Sequence, residues 1–299
     1  MKSLVSIKNS LAACAFASVC LFGVSSFHAK EEWVPLLDSE LSNWDMYLSY
    51  RHQDGYKGEV PTETDGTVIA PIGYNKNVNN VFSVVAKNGE PVLKISGEIY
   101  GSIFTKQEFE NYHLKLQVKW GDKKWVPRTD KLKDSGILYH SIGESGVDYW
   151  RAWMLSQEFQ IMEGHMGDYW TIASSAIDVR AFIPEGDMNT VASTRQPFLP
   201  LGAGTSIDGF CLRSEDHESP AGDWTEIELI CFEDKSLHIV NGHVVMVLQN
   251  SRYMDKGRSV PLTRGKIQLQ SEAAEVYYKD IKIKPLKDLP RKYATYFDV

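Results

Sequence analysis

Cysteine is scarce in this chain, with four in 299 residues. No CxxC pair occurs, which removes the usual thiolate spacings of a structural zinc site. Beyond residue 30 no apolar run is long enough to cross a bilayer as a helix. No segment sustains a 3.6-residue hydrophobic period, and no repeat or low-complexity tract appears. A Walker loop, a GxGxxG turn after a strand and a GxSxG elbow are all missing. Positive charge is short as well: 32 Lys and Arg stand against 39 Asp and Glu, for a net charge of −7. Phosphate binding needs clustered Lys and Arg, so this balance argues against nucleic acid and suits a neutral ligand.

What is present begins with a leader. Lys2 and Lys8 precede "LAACAFASVCLFGV" (11–24), an uncharged run of signal-peptide length. A cut after Ser26 or Ala29 leaves residues 30–299 as a single exported domain, periplasmic or extracellular. "LAAC" at 11–14 imitates a lipid-attachment box, but the apolar run follows Cys14 rather than preceding it, which disfavours a lipid anchor. Removing Lys2 and Lys8 takes the charge from −7 to −9. Cys14 and Cys20 leave with the leader. Cys211 and Cys231 remain, flanking a stretch that as a hairpin would bring them together as a disulfide; buried free thiols are the alternative.

The remainder reads as strands. "YHLKLQVKW" (112–120) alternates Leu114, Leu116, Val118 and Trp120 with polar residues, the pattern of a half-buried strand. "EIELICF" (226–232) and "SLHIVNGHVVMVL" (236–248) alternate too, and Asn241-Gly242 marks a hairpin turn because both positions tolerate φ > 0. "VFSVVAKNGEPVLKISG" (81–97) reads as two strands joined at Asn88-Gly89. "GKIQLQSE" (265–272) and "VYYKDIKIKPL" (276–286) add two more. Residues 50–80 and 183–222 read as long loops. Many antiparallel strands with long insertions predict an all-β, two-sheet sandwich.

One strand carries most of the candidate chemistry. In "QEFQIMEGHMGDYW" (157–170), Phe159 and Ile161 face the core while Glu158 and Gln160 face away. Strict alternation sends Glu163 inward, so joining Glu158 requires a β-bulge between them. A solvated strand face followed by a turn would look the same. Five of the eight Trp, at 120, 125, 150, 153 and 170, surround this stretch. Aromatic faces stack on sugar rings and carboxylates hold hydroxyls, so a concave sheet bearing both is a natural saccharide groove. "KDSGILYHS" (133–141) would place His140 with Leu138, opposite Ile137 and Tyr139, as a candidate proton carrier. His165 and Asp168 offer a second proton carrier with an orienting carboxylate, or a turn cap. Glu158, Glu163, His165 and Asp168 also present mixed oxygen and nitrogen ligands for a divalent metal, at no recognised spacing. No cofactor is expected.

Taken in order, "WVPLLDSELSNWDMYL" (33–48), "FENYHLKLQVKWGDKKWVPR" (109–128), "DSGILYH" (134–140), "QEFQIMEGHMGDYW", "GDWTEIELI…HIVNGHVV" (222–245) and "GKIQLQSEAAEVYYKDIKIKPL" (265–286) resemble the 3-keto-disaccharide hydrolase family over nearly the whole mature chain. The resemblance implies a concanavalin A-like jelly-roll sandwich acting on glycosides oxidised at carbon 3, and hence an upstream enzyme that performs that oxidation. A 3-keto group acidifies the hydrogen on carbon 2, so a base can remove it, the aglycone can leave carbon 1, and water can add to the product. On this reading Glu158, Glu163 and His140 are the acid/base candidates. Gln160, Trp153, Trp170, His165 and Asp168 are the substrate contacts. Many members read E-x-Q-I-x-D in the central strand, where this chain ends in Glu163.

Two other functions fit the same residues. Retaining glucanases of the laminarinase type carry E-x-D-x-x-E on one strand, with the two carboxyls about 5–5.5 Å apart. "EFQIME" has those offsets but Gln160 in place of the Asp. A non-catalytic carbohydrate-binding module is the third reading, since sandwich folds host lectins readily.

Overall fold

The period-2 alternation of the sequence is realised as two stacked antiparallel sheets, a jelly-roll sandwich. The computed structural model describes residues 32–87 and 89–298. The leader, with Cys14, Cys20 and both cleavage points, and Asn88 lie outside the described residues. The back sheet runs Phe82–Lys87, Glu90–Ile95, Ala274–Pro285, Tyr112–Lys124, Thr225–Phe232, Lys235–Val240, His243–Asp255, Ser175–Phe182 and Phe198–Gly202. The front sheet runs Gly73–Tyr74, Trp44–Leu48, Gly101–Thr105, Lys266–Ser271, Asp134–Ile142, Leu155–Met162, Tyr169–Ile172, Phe210–Leu212 and Thr190–Ala192. One neighbouring pair, Thr190–Ala192 with Phe210–Leu212, is parallel. Ser175–Phe182 pairs into both sheets and joins them at one edge.

The core lies between the sheets. Ile137, Tyr139, Phe159, Ile161 and Leu269 point back from the front sheet, and Leu114, Leu116, Val118, Ile227, Leu229, Val276 and Tyr278 point forward to meet them. Each such aliphatic side chain stabilises the fold by roughly 1.5–3 kcal/mol when removed from water. Two tyrosine hydroxyls in this layer are satisfied across it. The Tyr139 hydroxyl lies 3.0 Å from Ser236 Oγ, and Ser135 Oγ lies 2.7 Å from the Tyr278 hydroxyl. His238 stacks on Phe159 with ring centroids 4.1 Å apart. The outer face of the back sheet is partly covered by the C-terminal segment, where Leu289, Tyr293 and Phe297 pack on Ile230, Leu237 and Ile239. Among the described residues no helix is long and apolar enough to cross a membrane.

The hairpin at Asn241-Gly242 has the expected geometry, with φ of 46° and 78°. Three expectations change. The 183–222 region is not all loop: Thr190–Ala192, Phe198–Gly202 and Phe210–Leu212 are short strands that close the sandwich edge. Cys211 and Cys231 form no disulfide. Both are buried free thiols, Cys211 beside Tyr169 in the front sheet and Cys231 beside Tyr112 in the back sheet, so the segment between them is not the hairpin that would join them. The bulge demanded near Glu163 lies instead in the neighbouring strand. Tyr139 pairs with Gln157 and Ile142 with Leu155, so one extra residue is accommodated around His140, whose φ is 53°.

Candidate active site

The outer face of the front sheet carries the polar residues that alternation turns away from the core. Glu158 and Gln160 sit there on Leu155–Met162, opposite Leu138 and Gly136 of the adjacent strand. Gly136 is needed for the packing above it. A Cβ at this position would fall 2.4 Å from Glu158 Oε1 and 2.4 Å from Gln270 Oε1, so only a glycine lets both side chains cross the strand. Asp134 begins the same strand and faces Glu272 across an isolated bridge. Arg128 reaches in from the preceding loop, 2.6 Å from Asp134 Oδ2 and 3.6 Å from Glu272 Oε1. Gln160 donates its amide N–H to Asp134 Oδ1 at 2.7 Å.

Three buried carboxyls therefore share one guanidinium, and the charge does not balance. Burial, together with Glu272, Asp134 and Asp148, pushes the Glu158 carboxyl well above the ordinary range. Burial and Asp134 raise Glu272 against the pull of Arg128, and burial raises Asp134 against the same pull. Arg128 acts more weakly on Glu158 than on the other two. Glu158 and Glu272 both hold a proton more tightly than an ordinary carboxyl, and Glu158 does so with the least pull from Arg128. Beneath the cluster, the Tyr100 hydroxyl and both amide atoms of Gln270 are buried without hydrogen-bond partners.

These residues floor a cleft of about 500 Å³ walled by Tyr149, Trp150, Trp153, Trp170 and Phe210, with His165 at one end. That volume lies in the usual range for small-molecule sites. Trp170 is 42% exposed and rests against Phe210 at 4.4 Å, which leaves indole surface open for stacking. Trp153 is 3% exposed and donates its N–H to the Gly101 carbonyl, so it is wall rather than open platform. Trp150 stacks on Tyr56 at 5.2 Å, and beyond that pair lies a second cavity of about 630 Å³ formed by the loop 49–72.

Of the expected site residues, the fold brings Glu158, Gln160, Trp153, Trp170 and His165 into one cleft. Asp168 is fully buried behind His165, accepting from its Nδ1 at 3.0 Å, and so reaches the cleft only through that ring. Glu163 does not join Glu158. It lies past the end of the strand, in the turn, with its carboxylate 3.6 Å from Lys133 Nζ. His140 is not in the cleft either. The bulge turns it inward, where it is 1% exposed, packs against Tyr139 and Tyr112, and makes no hydrogen bond from either ring nitrogen. Burial pushes its pKa down to about 4. The four side chains considered for a metal do not converge, and among the described residues no group of three or more His, Cys, Asp or Glu has metal-ligand geometry.

Arg128, Asp134, Glu272, Asp148 and Tyr149 complete the cleft without having been singled out. Asp134 and Glu272 sit within recognised strand segments. Only the pairing of those strands shows that they meet.

The sequence profile of the 3-keto-alpha-glucoside-1,2-lyase-like domain matches residues 32–284. No curated protein sequence matches the chain. Among solved structures, a protein assigned to the glycosyl hydrolases from Parabacteroides distasonis is 18% identical, with a TM-score of 0.46 over 85% of this chain and 100% of its own. A second from the same organism is 16% identical, with a TM-score of 0.46 over 85% and 94%. A galectin-like protein of unknown function from Bacillus subtilis is 11% identical, with a TM-score of 0.39 over 85% and 94%.

Proposed function

This chain belongs to the 3-keto-alpha-glucoside-1,2-lyase-like family, and from that premise and the chemistry of the cleft we propose that it cleaves the glycosidic bond of 3-keto-glycosides by elimination followed by hydration. The observation that carries the reading is a proton-retaining Glu158 that shares an aromatic-walled cleft with a histidine. His165, with Nδ1 directed at Asp168, takes the role expected of His140: its Nε2 removes the hydrogen on carbon 2. The resulting enolate at the carbon 3 oxygen is met by Arg128, among the described residues the one Lys or Arg side chain lining the cleft. The electron pair then expels the aglycone oxygen from carbon 1, and that oxygen takes the Glu158 proton. Water adds at carbon 1 and its proton returns to Glu158; His165, whose proton exchanges with solvent once the aglycone has left, then protonates carbon 2. The sum is hydrolysis, with both residues restored. Trp170 supplies the stacking face.

The substrate requires an upstream enzyme that oxidises carbon 3. Export by the N-terminal segment is part of the proposal and puts the reaction outside the cytoplasm; the N-terminal residue of the protein recovered from its native host would check it. The deciding experiment is incubation with a 3-keto-glucoside in deuterated water, with and without chelator. Aglycone release with deuterium at carbon 2 is expected. Release without deuterium would mean direct hydrolysis, and saccharide binding with no release would mean a binding module.

A further inference from the structure

The turn that carries His165 is gripped at a single residue, Gly164, through both of its backbone polar groups. The Gly164 N–H donates to Glu218 Oε2 at 2.6 Å, and the Gly164 carbonyl accepts from Nη2 of Arg213. Both partners come from one loop, about fifty residues further along the chain. The same arginine reaches past the turn to Asp168. Asp168 Oδ1 accepts from the Arg213 backbone N–H at 2.9 Å and from Nη1 at 3.1 Å. That leaves Oδ2 for His165 Nδ1 at 3.0 Å.

This arrangement selects one form of the imidazole. Nη1 of Arg213 also lies 3.3 Å from His165 Nδ1, so Nδ1 can either accept from Arg213 or donate to Asp168. If it accepted, the fully buried Oδ2 of Asp168 would have no donor. A buried carboxylate oxygen left without a partner is costly, whereas Nη1 and Nη2 of Arg213 already donate to Asp168 Oδ1 and to the Gly164 carbonyl. Nδ1 therefore carries the proton, and Nε2 presents a bare lone pair.

We infer that Arg213 is a positioning residue for His165, holding the Nδ1–H tautomer through Asp168 and opposing protonation of the ring with its own charge. The inference rests on the reading of His165 as the base. The charged groups around the ring are Asp168 and Arg213 in contact, Asp134 across the neighbouring strand, Asp216 paired with Arg213 at 3.6 Å, and Glu218 on the Gly164 N–H. Without Arg213 the Asp168 carboxylate is unopposed and the imidazolium is favoured, so a base that must be neutral is lost earlier as pH falls.

The test compares wild type, Arg213→Ala and Arg213→Lys in pH–rate profiles on a 3-keto-glucoside, and in NMR of ¹⁵N-histidine-labelled protein with His165→Gln for assignment. Arg213→Ala is expected to lower kcat about tenfold with little change in KM, and to move the acid limb up by about one pH unit. Arg213→Lys, which keeps the charge but not the fork, should return the limb to its original place with only part of kcat. The wild-type spectrum should show Nδ1–H and a bare Nε2. An Nε2–H tautomer in wild type, or an Arg213→Ala profile with an unmoved limb, overturns the inference. Because the tautomer is read without substrate, absence of turnover with the expected spectrum would sink the proposed reaction and leave the positioning role standing.

Discussion

Glu158 crosses directly over Gly136, so close that a Cβ there would stand 2.4 Å from its carboxyl oxygen. The side-chain amide of Gln270 meets the same point from the other side. A missing side chain on one strand thus sets the position of the proposed acid on the next. Gly136→Ala is expected to push Glu158 off its line. Overpacking of this kind costs about 1–3 kcal/mol of stability, measurable by denaturant unfolding. Turnover of a 3-keto-glucoside should fall more than the folded fraction does; loss in proportion to unfolding alone would remove Glu158 placement as the cause.

The two glutamates of "EFQIME" should behave differently. Glu158→Gln keeps the shape and removes the transferable proton, so kcat should fall about a hundredfold or more. Glu163→Gln touches only the contact with Lys133, and steady-state rates should match wild type. Comparable losses in both variants would restore the paired-carboxylate reading of a retaining glucanase.

The carboxyl cluster makes stability depend on pH with a definite sign. Glu158, Glu272 and Asp134 hold their protons more tightly in the folded chain than in the unfolded one, chiefly through burial. Between the ordinary carboxylate value and the raised ones, the folded state binds more protons. Stability therefore falls as pH rises through that window. Relative to Glu158→Gln, the melting temperature of wild type should fall between about pH 5 and about pH 8. Parallel curves would show that Glu158 is not the group responsible.

His140 should matter for folding and not for chemistry. Its positive φ suits Asn better than most residues, so His140→Asn is expected to keep kcat/KM while losing about 1–3 kcal/mol of stability through lost packing. A loss of kcat/KM in fully folded His140→Asn would return it to the reaction.

Much of this site was legible in the sequence because one strand carries much of it. The alternation of Phe159 and Ile161 with Glu158 and Gln160 puts the last two on the outer face, and the fold keeps them there. The crowding of Trp around that strand likewise pointed to an aromatic cleft. What failed was extrapolation past the strand end. Glu163 was expected to join its face through a bulge, but the chain leaves the sheet at Met162. The extra residue lies one strand over, where it turns His140 into the core.

Side-chain alternation is a property of neighbouring residues, so the sequence by itself determined long strands such as Tyr112–Lys124 and Leu155–Met162, the faces they bury and which family the chain resembles. The partners of Glu158 were decided only in three dimensions. Asp134 and Glu272 lie far apart in the chain and meet because their strands pair in one register; Arg128 meets them because its loop folds over that bridge. Register and bulges depend on hydrogen bonds between distant segments, and no local pattern encodes them. For the same reason Cys211 and Cys231, close in sequence, ended in different sheets.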